Sequence, residues 1–402
     1  MIATEAGTWI LPAGFDDMGP GQAAALEQKR RELLDLFASW GYQQLIPPML
    51  EHLESLLTGS AADLDLETWK VIDQVSGRVL GFRSDMTPQM ARMDAQMARR
   101  GEARRFCYAG TVLRARPDAL GGSRAPFQVG AELFGVASPQ GDLEIISLML
   151  ESVQRCLDSA LHLDLGHVQI PMYLVQAARL SPAQTNQIIH AIERKAWPDL
   201  QRLLQEAGVS LDLRQQFLTL AGLRGDRRCL ERARRIFTSQ AELEPALDSL
   251  EYVWSVLEER FPAVRIRADL AELQGHHYHT GMLFAVYSSQ RGAPVARGGR
   301  YDGIGEAYGC HRPATGFSLD LRPLLREWSA QKAQRPLVWA PADDSLALWQ
   351  ALQALRAQGY VVVQESNPDN HFPPAAFDAY LVLEDGHWRL SGSSPDLPFS
   401  PS

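Results

Sequence analysis

Apolar residues recur at three- and four-residue spacings through Leu26, Leu33, Leu34 and Phe37. AAALEQKRRELLDLFASWGY therefore reads as an amphipathic helix that stops near Gly41. The turn-rich LPAGFDDMGPG precedes it. YQQLIPPMLEHLESLL follows as a short strand, a break at Pro47 and Pro48, and another helix. Over residues 68–87 the pattern shifts to short strands, WKVIDQVSG and RVLGFRSD. A helix in MTPQMARMDAQMARR comes next, with Pro88 tolerable in its first turn. RRFCYAGTVLRA and PFQVGAELFGV are further strands joined by the loop PDALGGSR. DLEIISLMLESVQRCLDSA is a helix with Asp142 near its start, and LDLGHVQIPMYL returns to strand-like composition.

Residues 181–260 carry little strand signal, and stretches such as IFTSQAELEPALDSLEYVWSVLEERF read as helices. Strands resume in VRIRADLAELQGHHYHTGMLFAVYS, ARGGRYDG and TGFSLDLRPLL, with hairpin-like spacings that predict antiparallel pairing. The expected fold class is α/β of the α+β type, a mixed, mainly antiparallel sheet flanked by helices. Its core is split into residues 1–180 and 261–330 by a helical insertion over 181–260. Residues 331–402 are expected to form a small C-terminal α/β module, from RPLVWA, SLALWQALQALRAQGY, VVVQES and DAYLVLED, ending in the polar SGSSPDLPFSPS.

At 402 residues the chain is too long for one ordinary core, and a hydrophobic fraction of 46% is that of a globular protein. A formal net charge of -9 argues against broad nucleic-acid binding, although a local basic groove is compatible with it. Cys107, Cys156, Cys229 and Cys310 lie too far apart for a CxxC pair and read as ordinary thiols. No secretory pattern marks MIATEAGTWILPAG, and no apolar run approaches the ~18 residues of a membrane helix, so a cytoplasmic location without membrane association is expected.

The candidate chemistry sits in separate stretches. QGHHYHTG, residues 274–281, holds three histidines among four consecutive residues. Read as a strand, it puts His276 and Tyr278 on one face and His277 and His279 on the other. A metal would then need ligands from elsewhere, so a polar pocket wall and plain structural histidines stand beside that reading. FRSDMTPQ places Arg83, Asp85 and Thr87 at alternate positions, suited to the charged ends of an amino acid or to a structural ion pair. FQVGAELFG does the same for Gln128, Gly130 and Glu132, and a buried Glu132 needs a partner. Arg114, Arg116 and Arg124 surround a loop that could clamp an anion or be solvated, and GGRYDG offers a turn with Arg300 and Asp302. GxxxxGK[ST] and GxSxG are both absent, so binding is better supported than turnover.

Taken in order, WGYQQLIPPMLE, GFRSDMTPQMAR, RRFCYAGTVLRARP with FQVGAE, LQGHHYHTG and ARGGRYDG resemble the motifs of histidyl-tRNA synthetase, a class II synthetase fold, over roughly residues 8–325. The resemblance implies a histidine pocket built from Asp85, Thr87, Arg114, Gln128, Glu132, Tyr278, His279 and Tyr301. It implies that Asp85 and Thr87 hold an α-ammonium, Arg114 or Gln128 the carboxylate side, and Glu132 an imidazole N–H. Departures fall on the ATP-handling positions. Arg116 replaces the glutamate of the second motif, Gln274 replaces an arginine, and Asp320 and Pro323 replace the glycine and arginine that end the third. Loss of one preorganised positive donor can cost a transition state about 3–4 kcal/mol.

With LDLGHVQI, LIPPMLEHLESLLTG and SGRVLGFRSDMTPQMAR, the pattern looks like the synthetase paralogue that serves as regulatory subunit of ATP phosphoribosyltransferase, in the first step of L-histidine biosynthesis. That likeness implies no catalysis, no cofactor and no metal. It implies a short-form catalytic subunit as partner, self-association as a synthetase-like dimer, L-histidine as effector, and no tRNA. A divergent histidyl-tRNA synthetase and a histidine sensor with another partner are the alternatives.

Overall fold

The structure is a computed structural model that describes residues 10–58, 62–97, 102–117, 122–238, 240–273, 275, 278–325, 336–367, 369 and 377–392. The chain divides into two compact units, Met1–Ser329 and Ala330–Ser402. In chain order the strands of the first are β1 (Gln43–Gln44), β2 (Leu50–His52), β3 (Lys70–Ile72), β4 (Val79–Phe82), β5 (Arg104–Thr111) and β6 (Phe127–Phe134). They continue with β7 (Leu161–His167), β8 (Arg224–Gly225), β9 (Arg265–Asp269), β10 (Met282–Ser288), β11 (Ala296–Arg300) and β12 (Ala314–Asp320). Nine of them form one sheet in the order β1-β5-β6-β12-β11-β10-β7-β9-β8, and β2-β4-β3 form a small second sheet. Only the β1–β5 and β7–β9 pairs of the large sheet are parallel.

Alternation along the strands decides which face is dry. Val129, Ala131 and Leu133 of β6, and Leu163 and Leu165 of β7, turn into the main core. They meet Leu33 and Phe37 of helix Pro20–Ser39 and Ile145, Leu148 and Met149 of helix Pro139–Cys156. Burial of each such side chain contributes about 1.5–3 kcal/mol. The helical segment joins this same core through Ile188, Leu200, Phe217, Leu230 and Leu247, and lends β8 to the edge of the sheet.

Two local expectations fail. QIPMYL belongs to a helix, Gln169–Ala177, because Ile170, Leu174 and Val175 bury one face at helical spacing and Pro171 lies in the first turn. Gly275 and Tyr278 lie in a turn rather than a strand, with the Tyr278 and His279 amides donating to the Gly275 carbonyl at 2.9 and 3.0 Å. Gly275 adopts a φ of 76°, which suits a residue without Cβ and breaks the strand before β10 begins.

The second unit pairs β13 (Leu337–Ala340) in parallel with β14 (Val361–Gln364) and with β15 (Ala379–Glu384), and β15 antiparallel with β16 (His387–Gly392). Sequence reading missed β16. Its hairpin turns on Asp385 and Gly386, both at positive φ, as a two-residue turn between right-twisted strands demands. Helix Leu346–Ala357, capped by Ser345, packs Leu348, Leu352 and Leu355 on Val338, Val362 and Leu381.

Candidate functional site

The strand register lays two rows of residues across one face of the large sheet. Asp164, Ala285, Arg297, Ser318, Gly130 and Tyr108 are successive cross-strand partners. Gly166, Leu283, Gly299, Gly316, Glu132 and Phe106 form the row two residues away, hence on the same face. The small residues in the middle leave a trough, and over it lies a cavity of about 240 Å³. Asp85, Thr87, Glu132, Tyr278, His279 and Tyr301 line one end; Asp164, Asp269 and Glu272 line the other.

Glu132 is the centre of the first end and is 1% exposed. Its Oε1 accepts from the Tyr108 hydroxyl at 3.0 Å and the Thr87 hydroxyl at 3.1 Å, and its Oε2 accepts from the Tyr301 hydroxyl. Burial pushes its pKa up to about 8, with the neighbouring Asp85 charge acting the same way and the Tyr301 hydrogen bond opposing both. Thr87 Oγ1 also reaches Asp85 Oδ1 at 3.1 Å. One hydroxyl proton cannot serve two carboxylates. A protonated Glu132 resolves this by donating to Thr87, which then donates to Asp85. A cationic ligand group can take the place of that proton.

The Tyr278 ring stacks on Tyr301, centroids 4.9 Å apart, and its buried hydroxyl lies near Thr87. His279 packs edge-on to Tyr278 and contacts the Gly275 carbonyl through Nδ1 at 3.1 Å. Desolvation pushes its pKa down to about 4, so at neutral pH Nδ1–H donates and Nε2 remains an acceptor. The ring lies over Gly299, where a Cβ would come 2.5 Å from Cδ2. Tyr278 and His279 therefore both line the cavity, contrary to the strand parity expected for them; the turn after Gly275 breaks the alternation.

Of the residues drawn from the sequence, Gln128 and Arg114 do not line the cavity. Both ends of the Gln128 amide are used: Nε2 donates to Asp85 Oδ1 at 2.8 Å and Oε1 accepts from the Met86 amide at 3.0 Å. Gln128 thus orients Asp85. Arg114 lies in a β-bridge with Thr68, and its guanidinium helps to offset the charge of the buried Asp320. Asp320 accepts from the amides of Phe127 at 3.0 Å and Arg322 at 3.1 Å, capping helix Leu321–Leu324. Arg322 is held by Asp16 at 2.9 Å and by the Ala125 carbonyl at 3.0 Å. Gln274, His276 and His277 lie outside the described residues.

Sequence reasoning missed Tyr108, Asp164, Asp269, Glu272 and Arg297. Arg297 had a signal: it alternates with Gly299 and Tyr301 in ARGGRYDG. The acids of the far wall come from β7, the end of β9 and the turn after it, and carry none. Lys195, between two helices of the 181–260 segment, bridges Asp269 at 3.1 Å and Glu272 at 3.3 Å. Among the described residues no helix is long and apolar enough to cross a membrane.

Comparison with known proteins is consistent with this frame. A family model for histidyl-tRNA synthetase matches residues 14–324, and one for the ATP phosphoribosyltransferase subunit HisZ C-terminal domain matches residues 335–391. An ATP phosphoribosyltransferase regulatory subunit of Pseudomonas paraeruginosa is 45% identical over 95% of this chain and 98% of its own. The subunit of that name from Thioalkalivibrio sulfidiphilus is 45% identical over 90% of this chain and 92% of its own. Among solved structures, an ATP phosphoribosyltransferase regulatory subunit/histidyl-tRNA synthetase from Bacillus halodurans aligns with a TM-score of 0.80, 24% identity, 90% of this chain and 94% of that one. A histidyl-tRNA synthetase from Nostoc aligns with a TM-score of 0.75, 16% identity, 94% of this chain and 91% of that one. Both likenesses concern the fold. A synthetase-type domain, a tail of the HisZ type and relatives matched nearly end to end lead to one assignment: this chain belongs to the family of ATP phosphoribosyltransferase regulatory subunits.

Proposed function

We propose that this chain acts as the non-catalytic regulatory subunit of ATP phosphoribosyltransferase in the first step of L-histidine biosynthesis. It activates a short catalytic subunit, self-associates as a synthetase-like dimer, works in the cytoplasm, and takes L-histidine into the cavity beside Glu132. The observation that carries this is a division of residues. The acidic and hydroxyl groups suited to an ammonium and an imidazole converge on the cavity. Arg322, one residue from where the third motif should end in an arginine, is engaged outside it by Asp16 and the Ala125 carbonyl. Regulation then requires that histidine bind the inactive arrangement of the complex more tightly than the active one, since a ligand shifts an equilibrium only by its differential affinity.

The test mixes the purified chain with the short catalytic subunit. Phosphoribosyltransferase activity well above that of the catalytic subunit alone, with inhibition by histidine that depends on the added chain, is expected. Histidine-dependent pyrophosphate exchange from the chain alone would instead mark a divergent synthetase, and a catalytic subunit fully active and histidine-sensitive by itself would sink the proposal.

A further inference from the structure

Building on the histidine reading of this cavity, we propose that Arg297 holds the carboxylate of the bound amino acid, the role that sequence reasoning placed on Arg114 or Gln128. Gln128 has committed both ends of its amide to Asp85 and Met86. Arg114 is outside the lining and faces Asp320. An α-carboxylate placed among Asp85, Glu132 and the far acids without a cation would be repelled, so some cation must meet it.

Arg297 is the one cation that lines the cavity among the described residues. It is exposed at the mouth and, among the described residues, makes no hydrogen bond or ion pair there. The competing acids have other cations at hand: Asp164, in the same cross-strand row, is register partner of Arg267 and feels its charge, while Asp269 and Glu272 share Lys195. In the register Arg297 lies two strands and two residues from Glu132, about 10 Å across and about 7 Å along the sheet. An amino acid with its imidazole at Glu132 and an extended arginine side chain together span that gap. The guanidinium then grips the carboxylate as a planar fork, and the site rejects an imidazole amine that lacks one.

The experiment is calorimetric titration of the full chain with L-histidine and with histamine, which keeps the ring and ammonium but has no carboxylate. The unaltered chain should prefer L-histidine. Arg297→Ala should weaken L-histidine by about 10- to 100-fold and leave histamine within about 2-fold. Arg297→Lys, keeping charge but losing the fork, should fall between. Unchanged L-histidine affinity in Arg297→Ala, or equal loss of both ligands, overturns the role of Arg297 while leaving the histidine site standing. Failure of the unaltered chain to bind L-histidine overturns both.

Discussion

Gly316 and Glu132 are direct partners on adjacent strands, and a Cβ on Gly316 would lie 1.5 Å from Glu132 Oε2. The carboxylate lies where a side chain would otherwise stand, so glycine at 316 is what lets Glu132 bend toward Tyr301. Gly316→Ala should force Glu132 out of its hydrogen bonds and cost about 1–3 kcal/mol in urea unfolding. Histidine inhibition of the reconstituted complex should disappear with it, while activation by the chain persists.

Glu132 also sets a pH dependence. Its pKa rises from 4.5 to about 8 on folding, mainly through burial. Below the lower value both states are protonated and nothing is lost. Between the two the unfolded chain ionises first, so stability falls as pH rises, and the penalty levels off above about 8. Glu132→Gln should flatten that part of the stability–pH curve.

Ligand affinity follows from the same group. An imidazole with a free pKa of ~6.5 can accept the proton of Glu132 with no net exchange between about pH 6.5 and 8. Histidine should therefore bind best in that window and weaken on both sides of it. Titrations at a series of pH values check this, and a profile flat across pH 5.5–9.5 would refute it.

His167, buried at the end of β7, has its pKa pushed down to about 4 by desolvation and by the nearby Arg300 charge. Above 6.5 it is neutral in both states and costs nothing. As pH falls below 6.5 the unfolded chain takes up a proton that the folded chain resists. By pH 4.5 this amounts to about 2–3 kcal/mol. His167→Gln should lose correspondingly less stability than the unaltered chain between pH 7 and 4.5 in urea titrations.

Arg300 pairs with Asp142 at 3.0 Å, both nearly sealed from solvent, and also holds the Val136 carbonyl at 3.0 Å. It fastens the turn ahead of helix Pro139–Cys156 to β11. Asp142→Ala leaves this guanidinium, among the described residues, with the partly exposed Asp302 as its counter-charge. A loss of about 3 kcal/mol is expected, near the low end for a broken buried pair, and a drop in melting temperature would report it.

Much of this was legible in the sequence because it rests on local chemistry. Alternation in FQVGAELFG put Gln128, Gly130 and Glu132 on one strand face, and the fold turns the residues between them, Val129, Ala131 and Leu133, into the core. GGRYDG read by its own residues as a turn with Arg300 and Asp302 alongside, Tyr301 entering through the motif resemblance. In the fold it is a fastening: Asp302 accepts from the Ala314 amide at 3.0 Å and its own amide donates to Thr280 at 3.0 Å.

The sequence by itself determined the mainly antiparallel class, the helical character of residues 181–260 and the candidates Asp85, Thr87, Glu132 and Tyr301, because period, turn residues and motif order are properties of short stretches. Only the tertiary structure decided which candidates meet. Strand register brings Gly316 under Glu132 and Arg297 into the cavity row, while a turn at Gly275 turns Tyr278 and His279 the same way. Hydrogen-bond competition turns Gln128 toward Asp85. Register and partner choice are settled between segments separated in the chain, by burial and by the cost of an unpaired buried polar group, which no single stretch encodes.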